Sequence, residues 1–195
     1  MGAIFQSLGR TIIAGVVLVV ILLIAAGTFG RMGEHGYWTF FMRWLHILAG
    51  VMWIGLLWYF NFVQTPSMPK IPDEQKPAVS KVIAPTALFW FRWSALSTVL
   101  TGLIVLSLQP GYLISALSIQ PPNRAIGIGV WLGLVMAFNV WFIIWPNQKK
   151  ALGIVQVSPE EKARAAKMAG MTSRFNTMLS VPMLYMMVAQ QNSGL

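Results

Sequence analysis

Residues 40–65 form an apolar stretch that reads FFMRWLHILAGVMWIGLLWYFNFVQT. It contains a single charged residue, Arg43. An α-helix that crosses a bilayer needs about 20 consecutive, predominantly apolar residues. The stretch is therefore predicted to cross a lipid bilayer as one helix.

Four further apolar runs lie on either side of this stretch, at residues 11–28, 85–108, 125–145 and 176–189. The last is short and contains Pro182, so we expect it to continue a preceding surface helix into the bilayer. Residues 113–119 are apolar but too short to span. The pattern predicts an all-α integral membrane protein with about five transmembrane helices, namely an antiparallel four-helix bundle and an additional N-terminal helix.

The composition agrees with a lipid environment. Of 195 residues, 56% are hydrophobic and 10% are charged, whereas a soluble domain averages about 25% charged residues. The net charge of +9 is explained by the excess of Lys and Arg on the cytoplasmic side of membrane proteins. We therefore expect the chain to lie in a lipid bilayer, and we do not expect it to bind nucleic acid.

The distribution of positive charge predicts the orientation. With the N-terminus inside, ten cationic residues fall on the cytoplasmic side: Arg10, Lys70, Lys76, Lys81, Lys149, Lys150, Lys162, Arg164, Lys167 and Arg174. Only Arg31 and Arg124 fall outside. We therefore expect a multi-pass protein of the bacterial inner membrane with a cytoplasmic N-terminus.

Two parts of the chain are expected. Residues 1–37 form an N-terminal transmembrane helix and an outer loop, and residues 38–195 form the four-helix membrane bundle. A cytoplasmic amphipathic segment is predicted near residues 158–171. Its start is typical of a helix, with Ser158 as the cap, Pro159 in the first turn and two acidic residues near the positive end of the helix dipole.

His46 is the first candidate for chemistry. Gly50 and Trp53 share its helix face, and glycine leaves room for a flat macrocycle beside the helix. A neutral imidazole can ligate haem iron, and Arg43 could pair with a propionate or reach a lipid phosphate. The cofactor-binding prediction is thus His46 as the haem-iron ligand, with Arg43, Gly50 and Trp53. The alternative is a histidine hydrogen-bonded within the bundle.

A second polar layer is predicted in the inner leaflet. The predicted pocket residues are Asn61, Arg92, Asn139 and Asn176, and Gln64 is expected at a comparable depth, judged from about 1.5 Å of rise per residue. These side chains could form a pocket for a quinone, an anionic substrate or a proton path. The alternative, which this reasoning favours, is a structural hydrogen-bond network between helices.

Several kinds of site are excluded by the sequence itself. The chain has no cysteine, which removes disulfides, iron–sulfur clusters and covalent haem attachment. It has no dinucleotide fingerprint, Walker motif, zinc-protease motif or nucleophile elbow. No catalytic residue is predicted, and whether the chain is an enzyme is left open.

Four segments carry a family resemblance: RWLHILAGVMWIGLLWYFNFVQTP, ALFWFRWSALSTVLTGL, WFIIWPNQKKALG and SRFNTMLSVPMLYMM. Over roughly residues 38–190 the chain resembles the membrane domain at the N-terminus of bacterial membrane-bound urate oxidases. A fainter similarity is to a small haem-binding membrane family that includes a protoporphyrinogen oxidase. Both resemblances place His46 at the motif histidine.

The resemblance implies a redox role. In the full-length relatives this domain precedes a cytochrome c domain, which implies electron transfer out of the membrane, but these 195 residues contain no CxxCH motif. The expected function is a small redox-associated membrane protein that binds haem b and passes electrons to quinone or to a cytochrome partner. The alternatives are a non-catalytic accessory or assembly subunit of a larger respiratory or photosynthetic complex, and a urate or purine enzyme that works with a separate cytochrome c.

Overall fold

A computed structural model describes residues 2–192, and these residues form helices and connecting turns without a strand. After a helical turn at Gly2–Phe5, six helices follow in chain order: α1 (Leu8–Ala25), α2 (His35–Lys70), α3 (Lys76–Ser107), α4 (Tyr112–Leu117), α5 (Arg124–Ala151) and α6 (Pro159–Ala189). The all-helical prediction is confirmed for the described residues.

Four of the described helices, α1, α2, α3 and α5, are long and apolar enough to cross a membrane. The sequence predicted about five crossings. The fifth apolar run, residues 176–189, lies in the C-terminal half of α6, whose N-terminal half is rich in charged residues. The helix continues unbroken from one half to the other, as predicted.

The chain divides into two compact units between Phe41 and Met42. In the first unit, α1 has no buried residue, and its apolar side chains are exposed around the helix. Such a surface is expected of a helix that contacts lipid or another protein.

The second unit has a core of large side chains from α2, α3, α5 and α6. Trp53, Leu57, Phe91, Met136 and Val140 are each at most 2% exposed. α6 packs along α5, and α4 packs against the start of α5. The apolar residues outside this core remain on the surface of the unit, as they do in proteins whose solvent is lipid.

The predicted start of α6 is confirmed. The Ser158 hydroxyl accepts a hydrogen bond from the Glu161 backbone N–H at 3.2 Å, which caps α6. Gly111 has a φ of 73°, a left-handed conformation that glycine adopts without a steric penalty, and so ends the turn between α3 and α4.

The start of α6 is also tied to the end of α5. Lys150 donates to the Glu161 carboxylate at 2.6 Å, and this hydrogen bond lowers the pKa of Glu161 below its usual value. A carboxylate with a lowered pKa contributes stability at neutral pH, and that contribution is lost as the pH falls through its pKa in the folded state.

Three π-helical segments interrupt the long helices, at Tyr59–Gln64, Val79–Ile83 and Asn139–Ile144. Each ends two residues before a proline: Pro66, Pro85 and Pro146. Proline lacks an N–H, and its ring clashes with the carbonyl one turn earlier. A wider turn before the proline relieves that clash, so the helix continues past it.

The helices therefore extend further than the sequence predicted. The apolar stretch of the second helix ends at residue 65, but α2 continues through Pro66 to Lys70, and the loop is confined to residues 71–75. Likewise α5 continues through Pro146 to Ala151 rather than ending there.

Candidate functional site

His46 contacts α3. Its Nδ1 lies 2.8 Å from the carbonyl oxygen of Thr98. A carbonyl can only accept, so Nδ1 carries the proton and the lone pair of a neutral imidazole is on Nε2. Within residues 2–192 no hydrogen bond to Nε2 is found. The side chain is therefore held by one nitrogen and has the other available.

Gly102 leaves the space that the His46 ring occupies against α3, whereas Gly50 lies at ordinary contact distance from α3. A Cβ atom on Gly102 would lie only 2.9 Å from Cε1 of His46 and 3.0 Å from its Nδ1. A Cβ on Gly50 would lie 3.8 Å from the Thr98 methyl group. The imidazole ring thus occupies the space that a side chain at residue 102 would fill.

The other two residues predicted near His46 lie in different surroundings. Trp53 is 1% exposed and belongs to the hydrophobic core; its indole Nε1 is buried without a hydrogen-bond partner. Arg43 acts electrostatically on Tyr112: burial raises the pKa of the Tyr112 phenol, and the charge of Arg43 partly opposes that rise. The structure thus places His46 and Gly50 together against Thr98, with Trp53 in the core.

The four residues of the predicted inner layer separate into three environments. Asn139 donates to Asn176 at 2.8 Å, and Asn176 donates to the Met136 carbonyl at 2.9 Å, all in the core. This pair ties α6 to α5, as the structural alternative expects. Asn61 instead donates to the Leu57 carbonyl and to Ser173, each at 2.8 Å.

Arg92 stacks on an aromatic ring. Its Cζ lies 3.2 Å from the ring centroid of Trp145 and 6.0 Å from that of Trp141. Its Nε and Nη1 are buried and have no hydrogen-bond partner in the described chain. A guanidinium on a tryptophan face is a cation–π contact, which stabilises α3 against α5.

A cavity of about 150 Å³ lies between the C-terminal ends of α2 and α5, the start of α3 and the middle of α6. All three π-helical segments contribute to its wall, through residues such as Asn61, Ser80 and Ile144. π-Helical turns frequently occur at functional sites. Of the four residues predicted for an inner pocket, only Asn61 lines this cavity.

Gln64, which the sequence placed at the same depth as the predicted pocket, also lines the cavity. Its Oε1 is buried without a hydrogen-bond partner in the described chain. The cavity could have been predicted from the prolines in the long apolar helices, because a proline follows each of the three π-helical segments that line it. The partners of His46, Thr98 and Gly102, carried a weaker signal, since small residues in apolar helices often lie at helix contacts.

The described residues thus define a helical protein with four helices that are able to span a membrane, in which polar side chains such as His46 and Asn139 form hydrogen bonds to neighbouring helices. Residues 122–193 match the sequence model of the urate oxidase N-terminal family. The match confirms the family resemblance over this segment, which contains α5 and α6. His46 lies outside the matched segment. No curated protein and no solved structure matches the chain.

Proposed function

We propose that this chain is a redox-associated membrane protein that holds haem b through Nε2 of His46. The observation that carries the proposal is the hydrogen bond between Nδ1 of His46 and the Thr98 carbonyl. Histidines that ligate metals almost always donate their other ring N–H to such a group, which fixes the tautomer and orients the ring.

The residues present fit one axial position of a haem. His46 offers a neutral nitrogen ligand at a depth where a charged ligand would be costly. The imidazole packs against Gly102 of α3 and is hydrogen-bonded to the Thr98 carbonyl, so the ligand is oriented before the cofactor binds. A bound haem b would supply a one-electron couple, and the electrons would pass to quinone or to a cytochrome partner.

The proposal predicts that the chain, purified in detergent from haem-replete cells, shows a Soret band that His46→Ala abolishes. His35 is the only other histidine, so His35→Ala is the matched control and should keep the band. The measurement is the ratio of Soret absorbance to protein absorbance, with helix content checked by circular dichroism. Equal ratios in His46→Ala and the wild type would refute His46 as the ligand.

A colourless wild-type protein that co-purifies with stoichiometric partners would instead favour an accessory subunit. The exposed apolar surface of α1 would suit that role. Urate loss in reconstituted membranes that depends on oxygen or added cytochrome c would favour the enzyme alternative.

We also propose that the chain crosses a bacterial inner membrane five times, with the N-terminus inside and the C-terminal half of α6 as the fifth crossing. The helices of residues 38–189 then form an antiparallel bundle. The proposal is supported by four membrane-length helices and by the clustering of Lys and Arg on one side.

The chain has no cysteine, so single cysteines report topology without background. We predict that a membrane-impermeant maleimide labels Glu74→Cys only from the cytoplasmic side, and Gln120→Cys and Asn192→Cys only from the opposite side. These three positions are exposed. Labelling of Asn192→Cys from the same side as Glu74→Cys would mean that α6 does not cross.

A further inference from the structure

The cavity between α2, α3, α5 and α6 has apolar walls that suit a flat ring. Phe60 and Phe91 stand edge to face with their centroids 5.8 Å apart, and Leu88 and Ile144 complete the wall. The cavity volume, about 150 Å³, equals that of an engineered protein cavity that binds benzene. The cavity therefore has room for one six-membered ring.

Polar groups stand at one side of this ring-sized space. The buried Oε1 of Gln64 has no partner in the described chain, although a buried oxygen without a hydrogen bond destabilises the fold. Ser173 accepts from Asn61, and its hydroxyl proton remains available to donate. A carboxamide and a hydroxyl can together accept from an O–H and donate to a carbonyl.

The charge of the lining restricts the ligand further. Arg174 lines the cavity, and none of the described lining residues is acidic. A cationic ligand would therefore lack a counter-charge, whereas a neutral or partly anionic oxygen would be stabilised. The site also lies at the ends of helices that are able to span a membrane, within reach of a lipid-soluble molecule with a polar head.

We propose that this cavity binds the headgroup of a benzoquinone-type quinone, as quinone or as quinol. The quinol O–H would donate to Oε1 of Gln64. In the quinone state, the amide of Gln64 or the hydroxyl of Ser173 would donate to the carbonyl oxygen. The isoprenoid tail would leave towards the lipid. The inference rests on the proposed function only in naming a quinone as the electron partner, because the cavity residues and the His46 site do not overlap.

The test is photolabelling of the full chain in detergent with an azido-benzoquinone that carries a short tail, followed by peptide mass spectrometry. We expect label on the segments around residues 60–64 and 170–174, and loss of that label when excess decylubiquinone is added. Label confined to other segments, or label that decylubiquinone does not displace, would overturn the proposal.

Three variants sharpen the test. Gln64→Leu removes the unpaired amide and should weaken competition by decylubiquinone about tenfold. Gly170→Leu should block labelling sterically while the chain still folds, because a Cβ there has no atom within 4 Å. The exposed Gln120→Leu is the matched control and should bind as the wild type does. Wild-type binding in both Gln64→Leu and Gly170→Leu would overturn the site.

The haem and quinone proposals fail separately. His46→Ala should lose haem and keep quinone labelling. Gly170→Leu should keep haem and lose quinone labelling. Loss of quinone labelling in His46→Ala with an intact fold would contradict a cavity that is independent of the histidine.

Discussion

Gly127→Ala is expected to destabilise the protein by about 3 kcal/mol, at the upper end of the cost of overpacking. A Cβ on Gly127 would collide with the Ala116 carbonyl oxygen, and it would lie 3.3 Å from Cα of Ile119. Both obstacles are backbone, so no rotamer change can relieve them. The measurement is the free energy of unfolding in mixed micelles with increasing SDS, followed by tryptophan fluorescence.

The strain cannot be relieved by moving α4 away from α5. Trp131 on α5 donates from its indole to the Leu117 carbonyl on α4 at 2.9 Å. Moving α4 away would lengthen this bond and expose the buried Ala116. The close packing at Gly127 therefore fixes the position of α4 on α5.

Gly133→Ala is the matched control, since Gly133 is a buried glycine on the same helix. A Cβ there has no atom within 4 Å, so we expect a gain of about 0.5–1 kcal/mol from the better helix propensity of alanine. Equal changes in the two variants would contradict the packing of α4 against α5 described here.

Gly102→Ala is expected to lower haem occupancy at least tenfold although it leaves His46 in the chain. The added Cβ would lie 2.9 Å from the imidazole, so the ring must move and its hydrogen bond to the Thr98 carbonyl must lengthen or break. Removing such a supporting contact typically costs about 10–100-fold in metal affinity. The measurement is haem per chain at a haem concentration well below the dissociation constant of the wild type, where occupancy follows affinity, with circular dichroism as the check on folding.

Gly55→Ala is the control for this prediction, because Gly55 lies on the same helix as His46 and its Cβ would meet no atom within 4 Å. It should bind haem as the wild type does. If Gly102→Ala keeps the haem content and the Soret position of the wild type, then the imidazole is not oriented by α3 for ligation.

The sequence was informative where a property is local. Apolar length predicted the four helices that are able to span a membrane, and Ser158 predicted the start of α6. Each depends on a short stretch of chain. The helix bounds near Pro66 and Pro146 were wrong, because a proline indicates a break unless a wider turn absorbs its clash.

The candidate sites depend on contacts that the sequence does not encode locally. Counting residues along each helix predicted the same depth for Asn61 and Arg92. Depth does not determine on which side of the helix axis a side chain lies. Asn61 lines the cavity, whereas Arg92 stacks on Trp145. The Thr98 carbonyl that accepts from His46 is a backbone atom 52 residues away, and the small residues at this contact give only a weak signal for it.

Haem b binding by His46 is tested most directly by the pyridine haemochrome spectrum of the purified wild-type chain. Protein is quantified by amino-acid analysis. We predict a b-type spectrum with about one haem per chain, which is lost in His46→Ala and kept in His35→Ala. A colourless wild-type protein from haem-replete cells, or equal haem in His46→Ala, would contradict it.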